Sequence, residues 1–76
     1  MARITEVIPG DGWLLTVRLD NGGAVTVDLK KKLRTLRFSL LRDREVFTAA
    51  GTDGNTVYWP GGLTVDLDEI LELAKR

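Results

Sequence analysis

Few side chains in this sequence could carry out chemistry, because its 76 residues include no cysteine and no histidine. Histidine titrates nearest to neutral pH and is the commonest metal ligand, and cysteine supplies thiolates. A nucleophile–histidine relay is therefore excluded, and transition metals lose their usual donors. Carboxylates, lysines, hydroxyls and a single tyrosine remain. We expect a protein that is not an enzyme and that uses no metal or cofactor.

Basic side chains are concentrated in one part of the chain. Segment 30–44 holds seven of the eleven lysines and arginines and one acid, Asp43, which gives it a formal charge of +6. The four basic and ten acidic residues elsewhere give −6. Clustered cations attract phosphates and acidic protein surfaces. The predicted contact residues are Lys30, Lys31, Arg34, Arg37, Arg42 and Arg44.

The same segment has a purely structural interpretation, which is a solvated helix face opposite a row of leucines. Net neutrality, and the lack of a recognisable helix-turn-helix, count against DNA as the partner. The sequence therefore leaves three alternatives open: a solvated face, an acidic protein partner, or nucleic acid.

The aromatic residues have two interpretations as well. Trp13, Tyr58 and Trp59 could form a platform on which bases stack. Strand alternation instead turns both tryptophans toward the core and Tyr58 away from it. We expect the packing role for the tryptophans, and we expect Tyr58 to be the exposed aromatic.

Acidic residues near the end of the chain could bind a hard cation or work as an acid–base pair. They are Asp66, Asp68, Glu69 and Glu72. Asp66 and Glu69, however, have the spacing of a capping box, and Val65 and Ile70 have that of a hydrophobic staple. We expect these residues to start a helix, with Leu67, Ile70, Leu71 and Ala74 on its buried face.

The elements that would position these side chains follow from hydrophobic periodicity. Alternating apolar residues predict strands over 3–8, 13–19 and 25–29, the last two joined by a tight turn at Asn21 and Gly22. Leucines at helical spacing predict two short helical pieces over 29–41, with a break near Arg37. A second hairpin is predicted from strands 45–50 and 55–59 around a turn at 51–54.

The resulting prediction is one α+β domain, residues 1–76, in the order β(3)-α-β(2)-α with a mostly antiparallel sheet packed against helices. No apolar run reaches the roughly 20 residues of a membrane span, and no signal peptide is recognisable at the start. We therefore expect a cytoplasmic protein with no membrane partner.

Several segments resemble a family of small bacterial proteins, the domain of unknown function 2442. The resemblance lies in residues 15–22, 27–29, 38–43 and 56–62, and in Asp66 with Leu67 before the last helix. The pattern Trp59-Pro60-x-Gly62 is its most specific part. The resemblance implies the β(3)-α-β(2)-α order and no catalytic residues. It also suggests a regulatory or antitoxin-like role, because members of that family accompany toxin-like proteins or are fused to helix-turn-helix domains.

These observations favour a non-catalytic interaction or regulatory module that binds another protein or a second copy of itself. The alternative, from another functional class, is nucleic-acid binding through segment 30–44. A carboxylate-based enzyme is the third hypothesis, and it would require two converging acids in a concave pocket.

Overall fold

The computed structural model describes residues 2–75, which form six strands, two α-helices and three 3-10 segments. The strands are β1 (Ile4–Pro9), β2 (Leu14–Leu19), β3 (Ala24–Asp28), β4 (Gly51–Thr52), β5 (Thr56–Tyr58) and β6 (Thr64–Asp66). The helices are α1 (Arg44–Thr48) and α2 (Leu67–Ala74), and the 3-10 segments are Asp11–Trp13, Lys30–Arg34 and Ser39–Arg42. The α+β class predicted from the sequence is confirmed.

The first sheet is an antiparallel meander with the strand order β1-β2-β3. Its inner face carries Leu15, Val17 and Val27, which are fully buried, as alternation in the sequence predicts. The turn between β2 and β3 uses Gly22 at a φ of 87°, a conformation that L-residues with a side chain rarely adopt. The predicted hairpin of β2 and β3 is therefore confirmed.

The second sheet, in the order β4-β5-β6, is also antiparallel and lies next to the first. The Ile4 N–H of β1 donates to the carbonyl of Gly54, in the turn between β4 and β5, at 2.7 Å. The sequence predicted only two strands here. The Pro60–Gly62 stretch ends the strand, as expected, but it also reverses the chain, so that a third strand, β6, which the sequence did not predict, pairs with β5.

A single core joins the two sheets and the helices. Its buried apolar residues are Ile4, Leu15, Val17, Val27, Leu29, Leu33, Phe38, Leu41, Phe47, Val57, Trp59, Leu63, Val65 and Ile70. Burial of this apolar surface is the main stabilising contribution to a chain without disulfides.

Both tryptophans pack into the body of the protein, and their indole N–H groups donate to backbone carbonyls of short helical segments. Trp59 is buried, and its Nε1 donates to the carbonyl of Phe47 in α1 at 3.1 Å. Trp13 is partly buried, and its Nε1 donates to the carbonyl of Leu41. Trp13 lies in a 3-10 segment with a φ of 63°, so the strand predicted over 13–19 starts one residue later.

Residues 45–50 do not form the predicted strand. They lie mainly in α1, because the Asp43 side chain accepts the Glu45 N–H at 3.0 Å and so caps the first turn. The backbone carbonyl of Asp43 accepts the N–H of Phe47. The first strand of the second sheet is the shorter β4, which occupies part of the predicted turn 51–54.

The helical region predicted over 29–41 is divided, as expected, but both pieces are 3-10 segments rather than α-helix. Between them lies Thr35, whose hydroxyl donates to the carbonyl of Lys32 at 2.7 Å. The break changes the direction of the side chains that follow. Leu33 is buried, whereas Leu36, expected on the same apolar stripe, is 93% exposed.

Helix α2 begins at the predicted Asp66 cap, but the Glu69 side chain, which was expected to reach back to the cap, pairs with Arg37 instead. The Asp66 side chain accepts the N–H of Glu69 at 2.9 Å, and Val65 and Ile70 are buried on either side of the cap. The predicted buried face is partly wrong. Leu67, Ile70 and Leu73 pack on the core, whereas Leu71 and Ala74 are exposed, because the helix lies against β3 with a different rotation.

Between residues 2 and 75, no helix combines the length and the apolar character that a membrane crossing would demand.

Candidate binding surface

The basic turn, which we define as Lys30–Arg34, is held in place by its neighbours in the chain. Leu29 before it and Leu33 within it are buried, and the Asp28 side chain accepts the backbone N–H of Lys30 at 2.9 Å. These contacts fix the backbone and leave the cationic side chains pointing outward. Lys30, Lys31 and Arg34 are exposed, and Lys32 is half-buried.

Within the described part of the chain, none of the four cations of the basic turn makes an ion pair. Lys30, Lys31 and Arg34, together with Leu33, line a shallow depression of about 560 Å³. Lys31 also faces a second hollow on the other side. The basic turn is therefore a compact source of positive charge between two concave surfaces.

The second hollow, which we call the β3 groove, has a volume of about 480 Å³. It lies between β3, the basic turn and the end of α2, and its lining residues are Leu14, Thr26, Val27, Asp28, Lys31, Lys32, Thr35, Leu73 and Ala74. Leu14 is 43% exposed there, although it is a large apolar residue. Leu14, Thr26 and Leu73 could not be predicted as neighbours from the sequence, because only the fold brings their three distant segments together.

Arg37, a predicted contact residue, already has bonding partners within the protein. Its guanidinium makes a two-pronged salt bridge with the Glu69 carboxylate, and Nη2 also donates to the carbonyl of Thr64 at 3.0 Å. The hydrogen bond with Glu69 raises the pKa of Arg37 above its ordinary value, so this side chain remains charged. The guanidinium also lies 5.0 Å from the centre of the Phe38 ring. Arg37 thus ties the segment between the two 3-10 pieces to α2.

Arg42 and Arg44 are also used by the fold. The Nε of Arg42 donates to the carbonyl of Leu33 at 3.0 Å. The guanidinium of Arg44 lies 5.1 Å from the Trp13 ring and 5.2 Å from the Phe47 ring, and it donates to the carbonyl of Gly10. Three of the six predicted contact residues therefore have internal partners, whereas the side chains of Lys30, Lys31 and Arg34 have none within residues 2–75.

Tyr58, the predicted exposed aromatic, is 44% exposed on β5. Its ring lies over Gly51 of the neighbouring β4, so close that a Cβ on residue 51 would be 2.7 Å from the ring. Tyr58 is not among the residues that line the β3 groove or the neighbouring depression. The structure does not bring it together with the basic turn as one site.

Asp53, Asp66 and Glu69 each bond to other groups of the fold. Asp66 caps α2, and Glu69 faces Arg37. Asp53 accepts the backbone N–H groups of Asn55 and Thr56, both at 3.0 Å, and these bonds lower the pKa of its carboxyl group. Within residues 2–75, acidic side chains do not gather in the groups of three or more that could hold a metal ion.

Comparisons of this chain with protein-family models, with curated proteins and with solved structures found no match. The resemblance to the domain of unknown function 2442 therefore stays a prediction.

Proposed function

We propose that this protein is a non-catalytic interaction module that binds an acidic surface of another protein through the basic turn. The observation that carries the proposal is the division of segment 30–44 into two groups of cations. Arg37, Arg42 and Arg44 make bonds within the fold, whereas the cations of the basic turn project from a fixed backbone and have no ion pair among the described residues. Unpaired, clustered charge on a rigid element favours binding from the outside.

Exposed apolar side chains near the basic turn favour a protein over a polyanion. Leu14 is 43% exposed beside Lys31 in the β3 groove, and Leu36, two residues beyond Arg34, is 93% exposed. Aliphatic side chains gain from burial against a protein surface, whereas phosphates offer them nothing. The −6 charge of the rest of the chain also repels a long polyanion such as duplex DNA.

Nucleic-acid binding is the second candidate, and the observation in its favour is the same set of four cations on one turn. The two candidates differ in their response to salt and to apolar substitution. Phosphate binding weakens steeply with salt and is unaffected by replacement of Leu36 with serine, whereas the same replacement lowers the affinity of a protein interface.

The test is capture from a lysate of the source organism with four immobilised proteins: the natural chain, Lys30→Glu, Arg34→Glu and Arg18→Glu. Arg18 is exposed on β2 and lies 3.9 Å from Glu6, so its reversal changes net charge equally but away from the basic turn. A protein retained by the natural chain and by Arg18→Glu, and lost from both other variants, supports the proposal. Reversal of a single interfacial charge is expected to weaken binding about tenfold, or ~1.4 kcal/mol.

A parallel titration with single-stranded and duplex oligonucleotides separates the two candidates. Binding at ~50 mM salt that weakens steeply as salt rises, and that disappears in Lys30→Glu but not in Leu36→Ser, would replace the first proposal by the second. Retention of no protein, or of the same proteins by every variant, would refute binding through the basic turn. A toxin-like partner, as the family resemblance suggests, is one of the identities that mass spectrometry of the retained protein would test.

A further inference from the structure

The free edge of the first sheet faces the β3 groove. Among the described residues, β3 forms backbone pairs with β2 alone, since the strand order is β1-β2-β3, and helix α2 packs against β3 without pairing to it. The register pairs Val17 with Val25 and Leu15 with Val27, and the ladder continues through the Leu29 N–H, which donates to Trp13, and the Leu19 N–H, which donates to Gly23. Opposed residues alternate between hydrogen-bonded and non-hydrogen-bonded pairs along an antiparallel ladder.

This alternation determines where the backbone groups of β3 point. Val25 and Val27 exchange their hydrogen bonds with β2, so the N–H and C=O groups of Ala24, Thr26 and Asp28 point away from the sheet. Thr26 and Thr16 confirm the phase, because their hydroxyls are 3.1 Å apart, as the closer side chains of a non-hydrogen-bonded pair require. Two of the three residues with outward-pointing groups, Thr26 and Asp28, also line the β3 groove.

The walls of the groove suit an extended chain. Leu14 and Leu73 provide apolar surface, and Lys31 and Lys32 lie at the end of β3 where the strand runs into the basic turn. The Asp28 carboxylate, which also lines the groove, already accepts the Lys30 N–H. The two lysines therefore outnumber the one acid, and the groove attracts negative charge.

We infer that the β3 groove binds an extended segment of the acidic partner by strand addition to the free edge of β3. This inference rests on the proposed function and specifies how the partner is held. Backbone groups of the incoming segment pair with Thr26 and Asp28, apolar side chains contact Leu14 and Leu73, and acidic side chains face Lys31 and Lys32. Main-chain hydrogen bonds supply affinity in this mode of recognition, and the side-chain contacts supply specificity.

The natural chain, labelled with ¹⁵N, can be titrated with a short synthetic peptide in which valine and glutamate alternate. Hydrogen exchange measured by NMR is the direct measurement, because strand addition protects the outward-pointing amides of β3. We expect exchange at Thr26 and Asp28 to slow at least about tenfold on binding, while Val25 and Val27, already bonded to β2, change little.

Two altered peptides separate backbone pairing from simple charge attraction. A peptide of alternating valine and lysine keeps the backbone and reverses the charge, and we expect it not to bind. The valine–glutamate peptide methylated on alternate backbone nitrogens keeps the charge but loses the donors of one edge. We expect one of the two methylation patterns to abolish the protection of Thr26 and Asp28 and the other to preserve it.

Substitutions in the protein give an independent check. Thr26→Pro removes an N–H that the ladder does not use, and proline is tolerated on edge strands, so the sheet is expected to form. Thr26→Val keeps the N–H and is the matched control. Peptide affinity should fall at least about tenfold in Thr26→Pro and stay within about threefold in Thr26→Val. If Thr26→Pro fails to fold, the methylated peptides still decide the outcome.

The results also distinguish failure of the inference from failure of the proposed function. Peptide binding that shifts the resonances of the basic turn without protecting Thr26 and Asp28 would overturn strand addition and leave the interaction function intact. The same conclusion follows if no peptide binds while a lysate protein is still lost on charge reversal of the basic turn. If neither the peptide nor a lysate protein depends on the basic turn, both proposals are wrong.

Discussion

Within segment 30–44, Arg44 offers the clearest test of whether a cation stabilises the fold or binds a partner. Its guanidinium lies about equally far from the rings of Trp13 and Phe47 and donates to the carbonyl of Gly10, so it joins the connection between β1 and β2 to α1. The two rings are themselves in contact, with centroids 6.5 Å apart. Arg44→Ala removes all of these contacts of the guanidinium, and we expect it to reduce stability.

The size of the loss follows from these contacts. Each cation–π contact of a half-buried guanidinium contributes about 0.5–1 kcal/mol, and a 3.3 Å charge-assisted hydrogen bond contributes about 1 kcal/mol. Arg44 is also the first residue of α1, where its positive charge opposes the helix dipole, and alanine recovers about 0.3–0.5 kcal/mol. Because the contacts share one group and are not fully additive, we expect a net loss of about 1.5–2 kcal/mol.

Thermal unfolding followed by circular dichroism measures this loss. In a domain of this size, 1 kcal/mol corresponds to about 4–8 °C in Tm, so Arg44→Ala should lower Tm by roughly 6–15 °C. Arg44→Lys keeps the charge but loses the planar group that stacks, and its Tm should fall between the two. Arg34→Ala is the matched control, because Arg34 is exposed and is expected to change stability by less than about 0.5 kcal/mol.

Binding measured on the same variants completes the comparison. Arg44→Ala should retain the lysate partner at a temperature where it is folded, whereas Arg34→Glu should lose the partner and keep its Tm. A stability loss below about 0.5 kcal/mol in Arg44→Ala would refute the stabilising role of Arg44. A loss of binding in that variant with an unchanged Tm would show that Arg44 belongs to the binding surface and that the division of cations is wrong.

Three further predictions concern the elements around the site. Asp66→Ala removes the cap of α2 and should lower the free energy of unfolding, measured in urea, by about 1 kcal/mol. Asp68→Ala, two residues further along, should lower it by less than half as much. The pKa of Asp53 is lowered in the folded state, so its stabilising contribution is present above the ordinary value of 3.8 and is lost as pH falls through the lower folded value; unfolding measured across that range should show a smaller pH dependence in Asp53→Asn. Leu36→Ser should leave Tm unchanged while Leu33→Ala lowers stability by about 2–4 kcal/mol, and equal effects would mean that both leucines are buried.

The parts of the fold that local patterns determine were predictable from the sequence. The β2–β3 hairpin follows from strict alternation around a turn that permits positive φ, and α2 follows from the Asp66 cap and the Val65–Ile70 staple. Each of these signals lies within a few residues and depends little on distant contacts.

Segment 29–50 could not be predicted as well, because its local patterns are ambiguous and tertiary contacts decide between them. Val46 and Phe47 suit a strand or a helix equally, and the Asp43 cap and the indole bond from Trp59 to Phe47 favour α1. The leucine spacing suggested one stripe, yet the chain turns at Thr35 and Leu36 points outward. Alternation and spacing are weak signals in segments this short.

A count of charges along the sequence cannot tell a cation that is available to a partner from one that the fold already uses. Seven basic residues in segment 30–44 suggested one extended contact surface, but the arginines that follow the basic turn reach backbone carbonyls, aromatic rings or Glu69. An arginine suits such contacts within the fold because its planar guanidinium stacks on aromatic rings and donates several hydrogen bonds at once. Lys30 and Lys31 of the basic turn are exposed and make no ion pair among the described residues. Since they lie where β3 ends, the charge that would attract an acidic partner and the backbone edge that would hold it belong to the same surface.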